Sequence, residues 1–171
     1  MKKTSLFYLL ITLFVACSSN KLDREKALKL LQEQRGYPKA VTYNIFIADP
    51  AYAKRMLDAN LEKKGFVKIQ RTQKLSEVGS PLISFTEKAE PYLQPQTDED
   101  KKDNIQRVKI ADELLDEVTG IQMLDDKHAK VEYRTAYKNI SPFSTLSKLK
   151  LDGTTTHEVN FSLYDDGWRI E

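Results

Sequence analysis

The sequence predicts an α+β protein, and three features of it carry that reading. Two stretches, residues 22–35 and 50–64, place apolar side chains at helical spacing behind capping residues. The second half alternates apolar and polar residues in strand fashion, most clearly over 129–137. Between the halves lies Gln-Pro-Gln-Thr-Asp-Glu-Asp-Lys-Lys-Asp-Asn at 94–104, which holds no residue suited to a core. The expected organisation is a leader at 1–16, a tether at 17–21, a small α+β unit at 22–93, a linker at 94–104 and an antiparallel sheet unit at 105–171. The sheet unit is expected to be a meander of cystatin-like or similar shape.

The elements follow in order. In residues 22–35 Leu22, Ala27, Leu28, Leu30 and Leu31 form the apolar side, Asp23 is the N-cap, and Gly36 and Pro38 stop the helix. Val41 to Ile47 is β-branched and aromatic, and reads as a strand. Asp49-Pro50 opens a second helix with a cap and a proline at its first position; Ala53, Met56, Leu57 and Leu61 face inward, and Gly65 closes it. Phe66–Arg71 and Leu82–Phe85 read as two strands of a loose hairpin, its polar loop holding Gly79 and Pro81. Thr86 is placed to cap a short helix to about Leu93.

Residues 105–121 fit two patterns. Ile105, Val108, Ala111, Leu115 and Val118 suit a helix, whereas Val108, Ile110, Leu114 and Val118 suit a strand with polar inserts. The strand is preferred because Val118–Met123 is strand-like and runs into an Asp125-Asp126-Lys127 turn. Ala129, Val131, Tyr133, Thr135 and Tyr137 then alternate with charged residues. Val159, Phe161 and Leu163 alternate again, and Asp165-Asp166-Gly167 returns the chain through Trp168-Arg169-Ile170 as a terminal hairpin.

Charge narrows the function classes. Residues 17–93 carry 14 Lys/Arg against 9 Asp/Glu, and residues 94–171 carry 11 against 16. Past residue 16 the two signs therefore cancel, and the excess of two positive charges in the whole chain is Lys2 and Lys3. Such a balance gives no argument for a nucleic-acid partner. The single cysteine, Cys17, rules out an intramolecular disulfide, so the fold stands on its core.

That cysteine has a context. Lys2 and Lys3 precede the apolar run Leu6–Ala16, whose eleven residues span roughly 16 Å as a helix. This is about half of a bilayer's hydrocarbon core, and it suits a signal-peptide core rather than a membrane span. The phrase Leu13-Phe14-Val15-Ala16-Cys17 resembles the lipobox of bacterial lipoprotein precursors, with Phe14 where leucine is usual. The resemblance implies cleavage before Cys17 and acylation of its sulfur and amine, which anchors the mature chain to membrane lipid. Ser18 in place of aspartate, by the same resemblance to lipoproteins of the enterobacterial type, implies the outer rather than the inner membrane of the cell envelope.

A second resemblance covers residues 55–90. Leu61-Glu62-Lys63-Lys64-Gly65-Phe66-Val67, followed after a loop by Leu82-Ile83-Ser84-Phe85-Thr86-Glu87-Lys88, is similar to the wing of bacterial winged-helix regulators, though one helix is missing between Ile47 and Phe66. It implies a basic patch of Lys54, Arg55, Lys63, Lys64, Lys68 and Arg71. An exported, acylated protein does not meet the chromosome, so a winged-helix-like module used for protein contacts is the expectation.

No motif assigns a catalytic residue, a cofactor or a metal. Asp112, Glu113, Asp116 and Glu117 are the densest acids and read as solvated charges. Asp125-Asp126-Lys127-His128 reads as hairpin chemistry, and His157, the only other histidine, lies on a different strand. Trp168, Tyr133, Tyr137 and Phe143 are the candidate binding residues, with core packing the default for each. The leading expectation is a membrane-anchored lipoprotein that binds a protein or other component of the envelope without catalysis. A small-ligand carrier or enzyme using the C-terminal sheet, and a winged-helix-like nucleic-acid-binding regulator, are the alternatives.

Overall fold

The computed structural model describes residues 21–171. Cys17 and the leader lie outside the described residues. The fold is α+β, built on one antiparallel sheet of five strands.

Helix α1 (Arg24–Arg35) begins where Asp23 accepts a hydrogen bond from the Lys26 amide and ends where Gly36 turns left-handed at φ 68°. Strand β1 (Lys39–Phe46) follows, and helix α2 (Pro50–Asp58) starts on Asp49, which accepts from the Ala51 amide. Helix α2 stops six residues short of the expected Lys64. Asn60 adopts a left-handed conformation at φ 57°, and turns carry the chain to Gly65 at φ 79°. Strands β2 (Val67–Ile69) and β3 (Ile83–Phe85) pair as the expected hairpin. The segment Glu87–Tyr92 is a 3-10 helix, and Thr86 does not cap it; its hydroxyl instead donates to the Gly65 carbonyl at 2.7 Å.

Residues 94–104, read as a linker for want of apolar side chains, lie against the sheet. Thr97 and Asp100 form a reciprocal capping box on helix α3 (Asp98–Lys102), and Asp100 pairs with Arg107 at 2.5 Å. Polar contacts hold a segment that has no core to offer.

Residues 105–123 are one strand, β4 (Ile105–Met123), at 19 residues the longest element. Its register slips between Leu115 and Glu117 and again between Val118 and Gly120 against strand β5 (His128–Lys138). A third slip, at Val41/Thr42, lies against β1. Each bulge shifts the phase of the alternation, which is why the segment also fits helical spacing. Strands β6 (Thr154–Tyr164) and β7 (Gly167–Ile170) complete the meander, in spatial order β1-β4-β5-β6-β7.

Two cores share this sheet. One gathers α2, the β2–β3 hairpin and the start of β4 around Met56, Leu61, Ile83, Val108 and Phe143. The other packs α1 on the far half of the sheet, with Leu31, Val131, Phe161 and Trp168 at its centre. The winged-helix expectation is corrected here. Helix α1 belongs to the second core and α2 to the first, β1 pairs with β4 rather than with the hairpin, and no second helix stands between β1 and β2. A wing-like hairpin is present without the helical triad that would make it a winged helix.

Candidate functional site

The inner face of the sheet changes character beyond the end of α1. Along β5, Ala129, Val131, Tyr133 and Thr135 all point to the face that α1 covers, and the first three are core. Thr135 is a hydroxyl in the same row, and it is buried. Such a group needs a partner, since an unpaired buried hydroxyl costs about 1–3 kcal/mol. The partner is His157 on β6, whose Nε2 lies 2.9 Å from Thr135 Oγ1.

Register brings the rest together. Tyr133 pairs with His157 across β5 and β6, and the two rings stack with centroids 5.1 Å apart. Glu113 enters from β4, its Oε1 3.8 Å from His157 Nε2. Tyr37, just past α1, meets Tyr133 edge-on at 6.5 Å. Burial, then a hydrogen bond with Tyr133, hold the Tyr37 phenol well above its usual range, so it stays protonated. The Lys39 ammonium sits 4.4 Å over the Tyr37 ring. A half-open cluster results, offering phenol, hydroxyl, imidazole and carboxylate on one surface. The adjoining cleft, lined by Leu28, Gln32, Tyr37, Pro38, Leu114 and Leu115, measures about 110 Å³. That is below the roughly 300–1,000 Å³ of ordinary small-molecule sites.

Of the four candidate binding residues, Tyr133 belongs to this cluster, and Tyr137 is half-buried opposite Glu113. Phe143 and Trp168 do not join it. Phe143 lies in the first core against Phe66, Phe85 and Tyr92, and Trp168 is core under the terminal hairpin. Glu113, Thr135, His157 and Tyr37 escaped the sequence reading as a group. The one available signal was a threonine in an otherwise apolar row.

The basic residues form no continuous stripe. Lys54 is paired with Asp58 at 2.7 Å and Arg71 with Glu62 at 2.5 Å. Arg55 donates to the Tyr43 hydroxyl and stacks on Tyr52. Lys63, Lys64 and Lys68 are exposed around the base of the hairpin.

Most of the acidic residues are likewise paired. Asp112 accepts from Asn139 and Lys109, which together hold its carboxyl low, and Arg134 gathers Asp116 and Glu117. Asp125 accepts from the amides of Lys127 and His128 and from the His128 ring, as a turn residue does. Among the described residues no group of three or more His, Cys, Asp or Glu converges as a metal site.

The most exposed apolar residues of the hairpin loop are Leu75, 92% exposed, and Val78, 71% exposed. The base of their loop lies where β4 begins, because Leu82 and Ile83 both donate to the Ile47 carbonyl and Ile47 donates to that of Asn104. No family model, curated protein or solved structure matches this chain.

Proposed function

We propose that the chain is a lipid-anchored protein of the cell envelope, on the outer membrane, which binds a partner protein and catalyses nothing. The reading is carried by the coincidence of Lys2-Lys3, the apolar run Leu6–Ala16 and the chain's single cysteine at 17. The geometry of the body supports the binding half of it. Strand β4 is 19 residues long, roughly 60 Å if straight at about 3.3 Å per residue. The chain enters the body beside Thr119, in the second half of that strand, and the base of the Leu75–Val78 loop lies where the strand begins. A tethered molecule of this shape presents the apolar finger of Leu75 and Val78 away from its anchor.

The experiment is metabolic labelling with a fatty-acid analogue in cells making the full chain. Native protein takes the label and fractionates with membranes, and Cys17→Ser loses both. Equal partitioning of the two forms refutes the anchor. For the binding surface, a photo-crosslinker at Leu75 captures a discrete envelope protein that the same group at Lys138 does not. Equal capture at the two positions refutes the finger.

A second reading, a small-ligand carrier, is favoured by one observation, the Tyr133–His157–Thr135–Glu113 cluster. Its neighbouring cleft accommodates only a group of a few atoms, so the cluster ranks behind the finger.

A further inference from the structure

The end of the sheet away from the Leu75 loop carries its own apolar residues. Met123 and Leu124 stand at the β4–β5 turn, 43% and 57% exposed, and Tyr164 stands at the β6–β7 turn, 53% exposed. The two turns are neighbours, since the Leu163 amide donates to the Lys127 carbonyl at 2.7 Å. Three exposed apolar side chains thus share one tip.

The chain also enters the body on this side. Arg24, in the first turn of α1, donates to the Thr119 carbonyl of β4 at 3.0 Å, while past the other end of α1 Lys39 pairs with Glu113. The first turn of α1 therefore lies four residues, or about 13 Å along β4, from the end of that strand at Met123, and Gln34 in its last turn accepts from the Ile170 amide of β7, in the terminal hairpin. Leu22 is buried in the same core as Ala129 and Trp168, which adjoin the two turns. Between Cys17 and Lys21 the chain reaches at most about 14 Å when fully extended. So short a tether holds the start of α1 close to the headgroups, with the tip about 13 Å further along β4.

We propose that this tip, with Met123, Leu124 and Tyr164, lies in the headgroup interface of the bilayer beside the anchor. The inference rests on acylation of Cys17. A tyrosine flanked by aliphatic side chains suits that layer, where one end of a side chain is wet and the other apolar. Of the four turn aspartates, Asp125 is occupied by the Lys127 and His128 amides and Asp166 is paired with Arg169, whose guanidinium lies over the Tyr164 ring, while Asp126 and Asp165 are exposed and stay on the water side of the layer. Lys127 and Arg169 offset two of the four aspartates of the two turns, so a zwitterionic surface suits the tip better than an anionic one. The acyl chains supply affinity, and the tip fixes orientation, standing the Leu75 finger away from the membrane.

The chain's one native cysteine makes the test clean, because an acylated Cys17 leaves an introduced cysteine as the only free thiol. Full-length protein purified from membranes, with Leu124→Cys, Met123→Cys, Tyr164→Cys or Leu75→Cys, is labelled with an environment-sensitive fluorophore. It is then placed in vesicles of phosphatidylethanolamine and phosphatidylcholine. Labels at 123, 124 and 164 shift to shorter wavelength and lose most of their emission to headgroup-level nitroxide lipid, while the label at 75 does neither. A tip that docks on protein, or stays in water, gives labels at 123, 124 and 164 indistinguishable from 75 although the protein floats with the vesicles. That result overturns the tip proposal and leaves the anchor standing. Failure of the native protein to float, with Cys17 reactive to the dye, overturns both.

Discussion

Replacing Phe143 by alanine empties the centre of the first core. Its side chain is fully buried, and its ring meets those of Phe66, Phe85 and Tyr92 at centroid distances of 5.8, 6.1 and 6.0 Å. Deleting a buried phenylalanine costs about 3–5 kcal/mol, the transfer of the ring plus the cavity it leaves. Two edge-on contacts and one tilted contact with neighbouring rings place this site near the upper half of that range. For a body of this size about 4 kcal/mol corresponds to a fall in Tm of roughly 8–16 °C. It is also a large share of a typical stability of about 5–15 kcal/mol. The assay is urea unfolding followed by two probes. Trp168, the only tryptophan, lies in the second core, so its fluorescence reports there, and far-ultraviolet circular dichroism reports the whole. Strand β4 gives Val108 and Ile110 to the first core and Val118 to the second, so the two probes shift together in Phe143→Ala. A tryptophan midpoint unchanged from the native protein, with the dichroism losing part of its amplitude early, refutes that coupling and makes the cores independent units.

Two further outcomes follow from the caps and the ion pairs. Gly36→Ala places a side chain at φ 68°, where nothing lies within 4 Å of the new methyl, so the loss is backbone strain alone, about 1 kcal/mol, read as a lower urea midpoint with unchanged slope. The Glu62 carboxyl is held below the usual carboxylate range by the Ile69 amide and then by Arg71. Its folded pKa is lower than its unfolded one, so its stabilisation is present above the unfolded value and disappears as pH falls through the folded value. Native protein is therefore more stable than Glu62→Gln at neutral pH, and the gap in Tm closes on acidification below the carboxylate range; a gap constant with pH contradicts the assignment.

How much of this was legible in the sequence depended on whether a signal was local. Asp23, Gly36, Asp49 and Pro50 mark helix ends through groups a few residues away, and both helices begin where those caps place them. The β5 alternation and the Asp165-Asp166-Gly167 turn are equally local, and the meander follows from them. Signals failed where the chain breaks its own period, as in β4 with its bulges, or where polar contacts replace apolar ones, as in α3. The partner of β1 was not legible, because Lys39 finds Glu113 only after the whole first core has been inserted between them. The Tyr133 cluster was hidden for the same reason. Tyr37, Glu113, Thr135 and His157 come from four separate segments, and only the register of three strands makes them neighbours.

The intact mass of the native protein, extracted from membranes and sequenced from its first residue, tests the proposed role most directly. The expected chain begins at Cys17 and is heavier than residues 17–171 by a diacylglyceryl group, with or without a third acyl chain. A chain that begins at Met1 with an unmodified thiol contradicts it.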